Sequence, residues 1–156
     1  MARISIFGLG YVGLATAVCL TRKGHEVVGI DPDREKVEKI QVGMAPFFEP
    51  DLDANLKKAV SKQALTASTD PSLNSQSDIA YITVGTPSNS DGSINLSYVH
   101  AASKDIGRSL RNKSGHQLIV IKSTVTPGTA RNIVRPAVEG VRAPLWGRLT
   151  LICVFV

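Results

Sequence analysis

A chain of 156 residues, 43% of them hydrophobic and 20% charged, has the balance of one soluble globular domain. It buries enough core to need no disulfide staple. Its two cysteines exclude a secreted disulfide framework. The net charge of +5 is scattered along the chain and aromatic residues reach only 5%, so no nucleic-acid groove is expected. No apolar run approaches the ~20 residues that cross a bilayer, so no membrane role is expected. The start of the chain reaches glycine too soon for a signal peptide, and the expected location is the cytoplasm.

The elements alternate. Ile4 to Phe7 reads as a short apolar strand ending at Gly8. Tyr11 to Lys23 reads as a helix whose Leu14, Ala15, Ala17, Val18 and Leu20 offer a broad apolar face, stopped at Gly24. Glu26 to Asp31 is a second strand, Asp33 to Val42 a helix stopped at Gly43, and Met44 to Pro50 a loop. Asp51 to Lys62 carries Leu52, Leu56 and Val60 at helical spacing, and Leu65 to Ser68 is a short strand. Asp70-Pro71 opens a further helix. Ile79 to Val84 is a strongly apolar strand, and Gly85 to Ser93 a turn-rich loop. Ser97 to Asn112 is a long helix, Leu118 to Ile121 a strand, and Thr129 to Val138 a helix opened by Pro127-Gly128. Leu149 to Val156 reads as a last strand. Near-continuous apolar strands alternating with helices predict an α/β fold, a doubly wound, mostly parallel sheet with helices on both faces. Residues 1–140 form that domain, and 141–156 an atypical tail.

The most specific motif is Gly8-Leu9-Gly10-Tyr11-Val12-Gly13. It sits between a strand and an amphipathic helix, as dinucleotide binding requires. Gly8 permits the tight turn, Gly10 lets a pyrophosphate approach the backbone, and Gly13 lets helix and strand pack closely. The helix N-terminus offers free N–H groups and partial positive charge to phosphates. Asp31 closes the second strand, where a carboxylate accepts bonds from ribose hydroxyls and repels the 2′-phosphate of NADP. That placement favours NAD as cofactor. Arg34 and Lys36 follow closely and offer charge to the same phosphate, and Asp31 before Pro32 also reads as a helix cap. Two further loops, Val84 to Ser88 and Lys122 to Thr129, lie at the carboxyl ends of strands, where open sheets bind ligands. Each reads equally well as a plain turn.

Five segments occur in one order: the glycine motif, Asp31 with Lys36, Glu49-Pro50, Val84-Gly85-Thr86-Pro87 and Lys122-Ser123-Thr124-Val125. Together they resemble the N-terminal domain of the UDP-glucose/GDP-mannose dehydrogenase family over roughly residues 2–139. The resemblance implies a nucleotide-sugar partner oxidised at its C6 alcohol to a carboxylate in two NAD-dependent steps. It implies that Gly8, Gly10, Tyr11, Val12 and Gly13 contact the pyrophosphate. Asp31 and Lys36 would hold the adenosine ribose, Thr86 and Pro87 line the cleft, and Ser123 and Thr124 sit near the nicotinamide. Thr124 would help position a catalytic water. Asp51 stands where the family's pattern has glycine after Glu-Pro.

The family's Asn-Pro-Glu segment, its central-helix Lys and Asn, and its nucleophilic Gly-Cys motif have no counterpart here. The second oxidation passes through a thiohemiacetal and thioester, so a thiolate is required. Cys153 lacks that motif, and a packing role is expected for it. The expectation is a truncated or frame-shifted dehydrogenase, inactive alone, with self-association through uncovered apolar surface. The alternative is a free-standing, non-catalytic NAD-binding module.

Overall fold

The computed structural model describes residues 1–111, 113, 115–141 and 149–154. Asn112, Ser114, residues 142–148 of the tail and the last two residues of the expected final strand lie outside that set. Six parallel strands form one sheet in the order β3-β2-β1-β4-β5-β6. These are β1 (Arg3–Phe7), β2 (Glu26–Ile30), β3 (Leu65–Ser68), β4 (Ile79–Ile82), β5 (Gln117–Ile121) and β6 (Leu149–Cys153). The order reverses between β1 and β4, which opens a crevice at the carboxyl ends of those two strands. The expected doubly wound sheet is therefore what the chain forms.

Alternation along each strand divides the core in two. Ile4 and Ile6 of β1 face one side, where α1 (Tyr11–Arg22), α2 (Arg34–Gln41) and α3 (Leu52–Ser61) contribute Leu14, Val18, Ile40 and Leu56. Phe7, Ile82, Ile119 and Ile121 face the other side, against Val99 and Ile106 of α4 (Ser97–Ser109) and Val138 of α5 (Arg135–Glu139). β6 continues the sheet, pairing Ile121 with Cys153. Its Ile152 and the following Val154 remain exposed at the sheet edge.

Helix ends follow from local chemistry. After α1, the Gly24 N–H bonds Thr21 O and the His25 N–H bonds Leu20 O, a Schellman stop with Gly24 at φ +85°. α2 ends the same way at Gly43. α3 uses the same bonds, Gln63 N–H to Val60 O and Ala64 N–H to Ala59 O, with Gln63 at φ +56°. A left-handed conformation costs an L-residue roughly 1–2 kcal/mol, and no sequence signal marks a glutamine for it. Asp51 takes φ +63°, a left-handed conformation that an aspartate tolerates.

Two expected helices take other forms. Pro71–Gln76 is a 3₁₀ turn capped by Asp70, whose carboxylate accepts from the Ser72 N–H and hydroxyl. These bonds, the side-chain one first, hold the Asp70 carboxyl below its ordinary range. The last helix opens as a π turn over Ala130–Val134 before α5. Pro136 has no N–H to return to the preceding turn, and its ring crowds that carbonyl, which loosens the ladder there.

Candidate functional site

The crevice between β1 and β4 is built by three loops. The first is the glycine loop. Gly8 sits at φ +97°, and a Cβ there would lie 2.9 Å from Val84 Cα. Its N–H bonds Ile30 O at 2.8 Å. A Cβ on Gly13 would lie 1.8 Å from Gly8 O. Both positions need glycine for the protein's own packing. Gly10 differs: its φ is −76°, and a Cβ there would meet nothing within 4 Å. Nothing in the chain itself demands glycine at that position, and the space beside it is open for a ligand.

Gly10 is also the N-cap of α1, and no side chain caps this helix. By contrast the Asp33 side chain caps α2 by accepting from the Lys36 N–H at 3.1 Å. Asp31 is therefore not the cap that its place before Pro32 suggested. Uncapped first-turn N–H groups aimed into a crevice, with the helix dipole behind them, suit an anion. Tyr11 and Val12 are exposed there, and the Tyr11 ring stacks on Phe47 with centroids 4.1 Å apart.

The second loop follows β2. Asp31 is only 4% exposed. Its Oδ2 accepts from the Leu9 N–H at 2.7 Å and from Lys36 Nζ at 2.9 Å, and its Oδ1 accepts from the Asp33 N–H at 3.0 Å. Arg34 pairs instead with Glu38 at 3.0 Å. Lys36 is thus paired with a buried carboxylate, while the Arg34 pair is solvent-exposed and holds its guanidinium only weakly. Gly8 and Asp31 line a cleft of about 230 Å³, closed by Pro32, Thr69, Val84 and Tyr98. Its walls are mostly apolar, which suits a flat heterocycle.

The third part joins the ends of β4 and β5. Thr83 Oγ1 lies 2.9 Å from Phe7 O and 2.8 Å from Gly8 O, tying β4 to the glycine loop. Ser123 is buried and its hydroxyl donates to Val84 O at 2.7 Å, which holds the two loops together. Thr124 is exposed beside it, Thr86 half-buried and Pro87 exposed. Beyond Pro87 a tight hairpin closes at Asp91-Gly92. Ser93 bonds the Asp91 carboxylate through its hydroxyl and its N–H, and these bonds, in that order, hold that carboxyl below its ordinary range.

The structure thus brings Gly8, Gly10, Tyr11, Val12, Gly13, Asp31 and Lys36 to one end of the sheet. Ser123, Thr124, Thr86 and Pro87 lie on the neighbouring β4–β5 side, outside the lining of the apolar cleft. Sequence reading missed Thr83, Thr69 and the cleft role of Tyr98. A threonine after an apolar strand marks no function, and the cleft is assembled from distant segments.

Cys153 is half-buried in β6, and burial pushes its thiol up. That is the opposite of an activated thiolate. Among the described residues no cluster of His, Cys, Asp or Glu fits a metal ion. No helix among them is long and apolar enough to cross a membrane.

Comparison with known proteins agrees with this geometry. The family model for the UDP-glucose/GDP-mannose dehydrogenase family, NAD binding domain, matches residues 2–145. The GDP-mannose 6-dehydrogenase of Pseudomonas aeruginosa is 43% identical over 138 residues, 88% of this chain and 32% of that protein. The structure of a ternary complex of GDP-mannose dehydrogenase from the same organism superposes with a TM-score of 0.90 at 39% identity, covering 96% of this chain and 35% of that one. A UDP-glucose dehydrogenase from the archaeon Pyrobaculum islandicum superposes with a TM-score of 0.93 at 37% identity, covering 98% and 35%. The chain spans about a third of the length of these relatives.

Proposed function

Because the chain belongs to the UDP-glucose/GDP-mannose dehydrogenase family and forms its NAD binding domain, we propose that it is the cofactor-holding part of a nucleotide-sugar 6-dehydrogenase. The reaction is oxidation of GDP-mannose or UDP-glucose to the uronic acid. The observation that supports this reading best is the open space at Gly10 on an uncapped helix, beside a buried carboxylate.

When bound, NAD supplies the acceptor for a hydride from the sugar carbon. The chain's own residues hold and orient it. The N–H groups of Tyr11 and Val12 at the start of α1 meet the pyrophosphate, and Gly10 lets it come close. Asp31, with Lys36, faces the adenosine ribose, and the apolar cleft at Tyr98 takes the adenine. Gly8 and Gly13 keep the turn tight enough for this geometry. On the other side of the switch point, the Ser123–Val84 bond keeps the two loops in register beside the nicotinamide. Thr86 and Pro87 border the cleft there, and the exposed Thr124 hydroxyl helps to position the attacking water. Neither cysteine lines the cleft beside the glycine loop: Cys153 sits in β6, and Cys19 lies exposed on α1.

A graft tests the assignment. Residues 2–139 replace the matching region of the Pseudomonas aeruginosa GDP-mannose 6-dehydrogenase, and NADH formation is followed spectrophotometrically. The expected result is NAD-dependent turnover of GDP-mannose, with Thr124→Ala in the graft lowering kcat by about 100-fold through loss of the positioned water. The 156-residue chain alone is expected to produce no NADH. A folded graft that binds NAD and the sugar without turnover contradicts the reading, as does turnover by the chain alone.

A further inference from the structure

The carboxylate expected to meet the ribose already accepts three hydrogen bonds within the protein. Asp31 Oδ2 receives the N–H of Leu9, the residue between the first two glycines of the motif, and the ammonium of Lys36. Asp31 Oδ1 receives the Asp33 N–H. Leu9 is itself fully buried, and its side chain lies over β2: a Cβ on Gly29 would stand 2.6 Å from Leu9 Cδ2. The glycine loop is therefore held to the end of β2 at two points, by a charge-assisted bond through its backbone and by packing through its side chain. Hydrogen bonds to an ionised acceptor are about twice as strong as neutral ones. Lys36 Nζ, 2.9 Å from Oδ2, shares that oxygen with the Leu9 N–H.

We infer that Asp31 is a positioning residue for the phosphate-binding loop: it latches the Leu9 N–H and so sets the loop in its binding conformation before any cofactor arrives. Lys36 completes the latch. The inference rests on the dinucleotide reading but goes beyond a ribose contact, because it acts on the pyrophosphate end of the ligand.

Two measurements separate the latch from a ribose contact alone. The first is amide hydrogen exchange at Leu9 in the ligand-free chain. Asp31→Ala is expected to speed Leu9 exchange at least tenfold, while core amides of β5 such as Ile119 keep their protection. The second is the affinity for nicotinamide mononucleotide, which has a phosphate but no adenosine ribose, followed by NMR titration. The latch predicts that Asp31→Ala weakens it by about tenfold. Unchanged Leu9 exchange, or an unchanged affinity for the mononucleotide alongside lost NAD binding, overturns the inference. If Asp31→Ala does not fold, Asp31→Asn takes its place, exchanging the ionised acceptor of the Leu9 N–H for a neutral and weaker one. It is then expected to speed exchange about two- to threefold, and no change in that variant overturns the latch equally. Protected Leu9 in a wild-type chain that binds neither NAD nor the mononucleotide would instead count against the dinucleotide reading, and leave the latch standing.

Discussion

Gly13→Ala is expected to lower the unfolding free energy by about 3 kcal/mol or more and to abolish NAD binding. The new methyl would lie 1.8 Å from Gly8 O and 2.8 Å from Thr83 Oγ1. Neither neighbour has room to yield. Gly8 is fixed by its bond to Ile30 O and by Val84 behind it, and Thr83 holds the carbonyls of Phe7 and Gly8. α1 must then lift off β1, which opens the core around Leu14 and Ala17 and displaces the first-turn N–H groups proposed to meet the phosphates. Chemical denaturation with a calorimetric NAD titration reads both effects. A loss below about 1 kcal/mol with binding retained would show that the helix–strand contact is looser than described.

Gly10→Ala is expected to separate what Gly13→Ala combines. Its methyl meets no protein atom within 4 Å, and its φ of −76° suits alanine. Stability should therefore change by less than about 1 kcal/mol, the scale of exchanging residues at an N-cap. NAD affinity should fall by about 10–100-fold, because the methyl occupies the space through which the pyrophosphate reaches the backbone. Equal NAD affinity in this variant would mean that the phosphates lie elsewhere in the crevice.

Much of this was legible in the chain. Apolar runs such as Ile79 to Ile82 and glycine stops at 24 and 43 mark strands and helix ends through chemistry that acts within a few residues. The glycine motif was legible because its context, strand before and helix after, is also local. What was not legible depends on distant partners. Asp31 gives no sign in sequence that its carboxylate turns back to Leu9, or that Asp33 takes over the cap. Gln63 carries no bias toward the left-handed stop it makes. Gly107, in the last turn of α4, looks like a weak helix residue. A Cβ there would stand 2.5 Å from Val138 O, so α5 packs directly on the backbone of α4 at this point. Thr83 and the walls of the apolar cleft come together only when β1, β4 and α4 are assembled.

The family assignment makes this an NAD binding domain, and we propose that the geometry around Asp31 makes it discriminate against NADP. With Lys36 bonded to Asp31, a 2′-phosphate would face a buried carboxylate whose partner cation is already paired. Calorimetric titration of the purified 156-residue chain with NAD and, separately, with NADP tests this directly. The expected result is saturable one-site binding of NAD, with NADP weaker by at least about tenfold. Equal or tighter binding of NADP, or no binding of either dinucleotide by the folded chain, would contradict the account.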